Sequence, residues 1–263
     1  MTCKNCDTLL TSSSDFCNSC GAKVIRNRLT IKNLFQYIGE TFLNYDNKFL
    51  RTFIHLFTKP EFVITNFING TRKKHISVIQ YFAISLTLVG IQVFLMNTFF
   101  KGQINESMSY IDAFNNNLPN QNDNPFKDIG FEKFNNYQNI IYILTIPFIS
   151  FSTWISYRII GDKRFNFTEH TVINLYYSSQ VIIITAVISI ILLFFNISYL
   201  LISSVISGLS LVYLFYILKR VFSNTMLESF SRFLLVLISL AVVCLIIFII
   251  GVIAVIIYLK FIK

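Results

Sequence analysis

The chain has 263 residues, of which 54% are hydrophobic and only 13% charged, against about 25% charged in ordinary soluble domains. Phe alone supplies 28 residues and Tyr 13, more apolar surface than a soluble fold of this size could hide but well suited to a bilayer. The formal net charge of +9 would suggest nucleic acid in a soluble protein; here its concentration beside apolar runs fits the cytoplasmic side of a membrane protein instead.

The first element is a cysteine-bearing head. Cys3 and Cys6, then Cys17 and Cys20, form two Cys-x-x-Cys pairs separated by ten residues. That spacing predicts a zinc ribbon over residues 1–25, because Zn2+ prefers four thiolates in a tetrahedron. Gly21 suits the tight turn after the second pair, and Lys4 and Lys23 offset the charge of four thiolates. Four protein ligands leave no open coordination position, so the zinc is expected to be structural. A redox dithiol and an iron site are the competing readings, and disulfides do not suit a reducing compartment. Arg26, Arg28 and Lys32 follow without interleaved aromatic residues, so nucleic acid is not the expected partner. A protein partner reached through the ribbon is.

A helical segment, 29–77, comes next. Leu34, Ile38, Phe42, Tyr45, Phe49, Phe53 and Leu56 recur in steps of four and three, which places them on one helical face. Such a helix over 34–57 either lies in the membrane interface or packs against other helices; periodicity does not choose. Pro60 suits the first turn of a second helix, which should end at Asn69-Gly70. Arg72, Lys73, Lys74 and His75 then border the membrane, as anionic headgroup contacts or simply as a topology anchor.

Five apolar stretches make up the membrane domain, 78–259. They cover about Val78–Phe100, Ile140–Ile160, Leu175–Phe195, Ile197–Leu218 and Phe233–Leu259, each close to the roughly 20 residues that cross a bilayer as a helix. The fold class is therefore an all-α integral membrane protein with about five transmembrane helices, preceded by the ribbon and the amphipathic helix. Pro147 is expected to kink the second span, and Gly90, Gly208 and Gly251 to allow close helix contact. An amide-rich polar loop, 101–139, separates the first two spans. Alternate segments carry 17 Lys and Arg on one side and 5 on the other. This puts the N-terminus in the cytoplasm and the C-terminus outside. No apolar leader precedes Val78, so the spans themselves are expected to direct insertion.

Chemistry-bearing side chains are scarce in these spans. Gln92 and Gln180 are the main polar candidates, with Thr87 and Ser189; Cys244 reads as a small apolar side chain. Asp162, Glu169 and His170 could form an acid–base group, but a solvated helix start capped by Thr168 explains them better. The expected function is a non-enzymatic inner-membrane scaffold or interaction protein, with room for a homo-oligomer. A transporter or lipid-handling protein, with a site near Gln92, Gln180 and Pro147, is the alternative.

The cysteine head, the segment from Lys59-Pro60 to Asn69-Gly70-Thr71-Arg72, and the start of the first span resemble the bacterial domain of unknown function 3667 family. The likeness covers roughly residues 1–100. That family often places Pro near position 78, where this chain has Val. The resemblance implies a zinc ribbon ahead of several spans and supplies no activity. In layout alone, the five spans are also similar to the Yip-type membrane proteins.

Overall fold

A computed structural model describes residues 1–22, 24, 30–32, 48–100, 102, 136–195 and 197–262, with side chains for all of these except 200 and 254–262. The expected helical positions Leu34, Ile38, Phe42 and Tyr45 lie outside the described residues, as do Lys23, Arg26, Arg28 and most of the polar loop. The chain divides into two compact units, Met1–Asn47 and Lys48–Lys263.

The described part of the first unit is largely irregular, with a β-bridge between Thr2 and Leu9. Its small core is Cys3, Cys17 and Leu10, with Ala22 and Val24 against them. So few apolar residues cannot hold a fold on their own.

The second unit is helical: α1 (Lys48–Thr58), α2 (Pro60–Ile68), α3 (Val78–Phe99), α4 (Gln138–Ile159), α5 (Phe167–Phe194), α6 (Tyr199–Phe222) and α7 (Met226–Ile262). The last five are long and apolar enough to cross a membrane. Four of the helix starts have a chemical reason. Pro60 opens α2, where a missing N–H costs nothing. The Ser77 hydroxyl accepts the Gln80 N–H at the start of α3. Asn166 and Glu169 form a reciprocal capping box on α5, and Thr225 and Glu228 exchange the same pair of bonds at α7. The α5 cap corrects the expected one. Asn166 takes the role assigned to Thr168, so the helix begins eight residues before Leu175. Gly70, with φ of +95°, closes α2 in the left-handed region.

Helix α5 is the hub. It packs against α1, α2, α3, α4 and α6, while α7 packs on α4 and α6. Half of the membrane-crossing window of α5 (50%) is buried inside the protein, against 11% for α7. Small polar side chains at the contacts let the helices approach closely: Ser150, Thr153 and Ser156 of α4 and Ser179 of α5 are fully buried. Pro147 lies inside α4, which continues through it. Of the three glycines expected at helix contacts, only Gly90 has a neighbour, the Asn139 amide, 3.6 Å from where a Cβ would stand. Gly208 and Gly251 face open space, because the outer faces of α6 and α7 meet no other helix there.

The amphipathic face resolves over α1. Leu56 is fully buried, and Phe49 and Phe53 pack on the same core. Over residues 48–58 the apolar stripe therefore packs on the bundle. Leu50, Ile54 and Phe57 stay exposed on its other side.

Candidate functional site

The four cysteines come together. Cys3 Sγ lies 3.7 Å from Cys20 Sγ and Cys6 Sγ 3.6 Å from Cys17 Sγ, and all four sulfurs fall within 4.8 Å of one another. Two matching turns build the cluster. The Asp7 N–H donates to the Cys3 carbonyl and the Gly21 N–H to the Cys17 carbonyl, each at 2.9 Å. Both closing residues have positive φ, +56° at Asp7 and +70° at Gly21. The glycine was legible in the sequence. Its counterpart Asp7 was not, although Asp is among the few residues that tolerate this conformation. Cys3 and Cys17 point inward while Cys6 and Cys20 stay exposed.

The local electrostatics favour thiolates at the exposed pair. The Asn5 side chain, helped by the Ala22 backbone N–H, brings the Cys20 thiol down to about 6. The Thr8 hydroxyl and N–H also lower Cys6. A thiolate is the metal-binding form of cysteine; the exposed pair is drawn toward it while Cys3 is pushed up to about 11, so it is the geometry of the four sulfurs that suits a metal ion.

The membrane-border run divides by role. Arg72, Lys73 and Lys74 are exposed, whereas His75 is only 8% exposed. The Arg72 guanidinium stacks 4.1 Å from the Phe67 ring and donates to the Phe67 carbonyl. Lys74 sits 4.2 Å over the Phe62 ring. His75 Nε2 meets His55 Nδ1 at 2.9 Å, tying this run to α1. Burial, then the charges of His55, Lys74 and Arg51, holds His75 down at about 4; burial likewise lowers His55. Both rings are neutral near pH 7 and share one proton across the bond.

Side chains deep in the sequence tie the α1–α2 hairpin to the bundle. Tyr213 and Tyr216 of α6 donate to the carbonyls of Leu56 at 3.0 Å and Phe57 at 2.8 Å. These carbonyls end α1 and have no intrahelical partner. Gln180 donates to the Phe53 carbonyl at 3.2 Å and accepts the Tyr81 hydroxyl. Tyr176 reaches the Ile76 carbonyl at 2.9 Å. Arg220 grips Glu61 through two bonds of 2.6 and 3.0 Å. Sequence inspection singled out Gln180 but missed these tyrosines, because aromatic residues within spans read as apolar filler.

Asp162, Glu169 and His170 each have partners of their own. Arg164 holds the Asp162 carboxylate through bonds that include 3.1 and 2.7 Å contacts, and Arg232 adds another at 2.6 Å. These contacts, led by the Arg164 hydrogen bond, hold Asp162 down at about 2. Glu169 is occupied in the capping box. His170 is buried in α5, with its Nδ1 3.3 Å from the Thr153 hydroxyl. The cluster ties the turn after α4 to the start of α7.

The comparisons agree with the resemblance in part. No curated protein and no solved structure matches the chain, and nothing found supports the likeness to Yip-type proteins. The matched segment covers the α1–α2 hairpin, the His55–His75 bond and the first half of α3, which include the Lys59–Arg72 stretch and the start of the first span; the cysteine head lies outside it. Residues 46–90 are similar to the family described as protein of unknown function (DUF3667), and five helices of the chain are long and apolar enough to cross a membrane.

Proposed function

We propose that the chain is a non-enzymatic scaffold of a bacterial inner membrane, in which a structural zinc head docks a cytoplasmic protein. The four-sulfur cluster carries this reading. Four thiolates about 2.3 Å from a tetrahedral zinc stand about 3.8 Å apart, close to the 3.7 and 3.6 Å contacts of Cys3–Cys20 and Cys6–Cys17. Zinc bound by four sulfurs has no position for water or substrate, so its contribution is folding energy rather than Lewis-acid chemistry. The head also exposes Leu9, at 83%, and Phe16, at 51%, which suit a protein contact better than a phosphate backbone.

The asymmetry of 17 against 5 cations supports a cytoplasmic N-terminus and an external C-terminus. A cytoplasmic head also keeps its thiols reduced and available to metal. The exposed Arg72, Lys73 and Lys74 beside the first span suit anionic lipid headgroups, each contributing about 1 kcal/mol. His75 serves there as a structural tie to His55.

The test is a crosslinking pull-down from cells with full-length protein and with Cys17→Ser, together with the metal content of each. The reading expects one zinc per chain and a captured protein, both lost in the variant. The same protein captured by both forms would overturn the docking role. A reporter fused after Lys263 and active in the cytoplasm would overturn the orientation.

A further inference from the structure

Among the described residues, three buried amide oxygens lack a donor at one end of the bundle, where α3 and α5 finish and α4 and α6 begin. They are Gln92 Oε1 of α3 and Gln138 Oε1 and Asn139 Oδ1 of α4. Gln92 is only 1% exposed. In hydrocarbon, an unpaired polar atom costs several kcal/mol, so such oxygens call for an occupant.

The two glutamine nitrogens are already engaged. Gln92 Nε2 points at Met96 Sδ, 3.6 Å away, and Gln138 Nε2 donates to the Tyr142 hydroxyl at 3.1 Å. Exchanging oxygen and nitrogen in either amide would strand a buried nitrogen instead. The Gln92 and Gln138 side chains both reach the Tyr199 hydroxyl at the start of α6. Tyr199 in turn packs with Met96 and Leu193. Asn139 approaches over Gly90, where any larger residue would meet its amide. Ser189, one turn before Leu193 on α5, also has an unpaired, fully buried hydroxyl.

We propose that this cluster binds a monovalent metal cation through neutral oxygens. The unpaired amide atoms are acceptors, which excludes an anion. Among the described residues the set contains no carboxylate, whereas Ca2+ and Mg2+ are normally held by carboxylates. Neutral carbonyl oxygens are the ligands that replace the hydration shell of K+ in channel filters. Residues from α3, α4 and α6 meet here, so an ion would tie three helices together. The site is independent of the cysteine head.

The test uses purified full-length protein in detergent at constant ionic strength, with choline chloride replaced stepwise by NaCl or KCl. Thermal midpoints and retention of radioactive Na+ or Rb+ are measured. The expected result is a saturable rise in the midpoint with one alkali ion and stoichiometric retention of a tracer. Gln92→Leu should remove both, and Gln138→Leu should weaken retention several-fold, with the metal content of the head unchanged. Equal midpoints in choline and alkali chlorides, with neither tracer retained, would mean that water alone fills the cluster and would overturn the proposal.

Discussion

The two units of this protein solve the same problem by opposite means. The head has a core of only a few residues, centred on Cys3, Leu10 and Cys17, and relies on a metal-competent sulfur cluster. The body has a continuous core running from Leu56 and Ile64 through Tyr81, Ile173 and Tyr176 to Ile217 and Phe222, and relies on packed helices with paired polar groups. The difference teaches where each is vulnerable. A single ligand decides the head, whereas no single contact decides the body.

The largest expected effect falls on the head. Removing one sulfur by Cys17→Ser forfeits metal binding, which supplies an apparent 10–16 kcal/mol or so in small zinc peptides. Hydrogen exchange should show residues 1–22 unprotected while α5 stays protected. Native protection of the head in the variant would erase the contrast between the units.

In the body the effects are smaller and graded. Leu56→Ala, at a fully buried position, should cost about 2–5 kcal/mol in chemical unfolding and leave the metal content alone. Asp162→Asn leaves Arg232, with only 17% of its side chain exposed, short of its counter-charge. A loss of about 1–3 kcal/mol is expected. The wild-type contribution should persist above the ordinary carboxylate value of 3.8 and fade as pH falls toward about 2, because the folded carboxyl has the lower pKa. An unchanged midpoint in Asp162→Asn would reduce the triad to decoration. Tyr213→Phe strands the Leu56 carbonyl and should cost about 1 kcal/mol; exchange rates in α1 would report it.

The smallest effect is a slope. His75 is held at about 4, below its ordinary 6.5, so the folded state binds fewer protons than the unfolded state in that window. The contribution of the neutral pair should be complete above pH 6.5 and decline as pH falls toward about 4. The groups facing the pair are Arg51, Lys59 and Lys74, all cations that oppose its protonation. His75→Gln should flatten the slope of the unfolding midpoint across that window; an unaltered slope would place the titration elsewhere.

Much of the architecture was legible in the sequence because membrane helices are coded by length and apolarity alone. The five spans and the break at Pro60 were readable on that basis. So was the pairing of Cys3 and Cys6 with Cys17 and Cys20 in one cluster, because thiolate ligand spacing is itself a geometric code. Legibility failed wherever a residue's role depends on a distant partner. Asp162 resembled an acid next to His170, but Arg164 and Arg232 claim it from 2 and 70 positions away. Thr168 lost its capping role to Asn166, since the start of a helix within apolar sequence is set by which side chain closes the reciprocal bonds.

By itself, then, the sequence determined the class of the protein, the number of apolar helices and the four clustered cysteines of the head, all of which follow from local composition and spacing. Only the tertiary structure decided that residues 48–58 pack on the bundle, that His75 is a tie to His55, and that Gln92 meets Gln138 around Tyr199. Those outcomes rest on hydrogen bonds between residues 20 to 159 positions apart. In a low-dielectric interior such partners decide whether a polar group is tolerable, and periodicity carries no record of them.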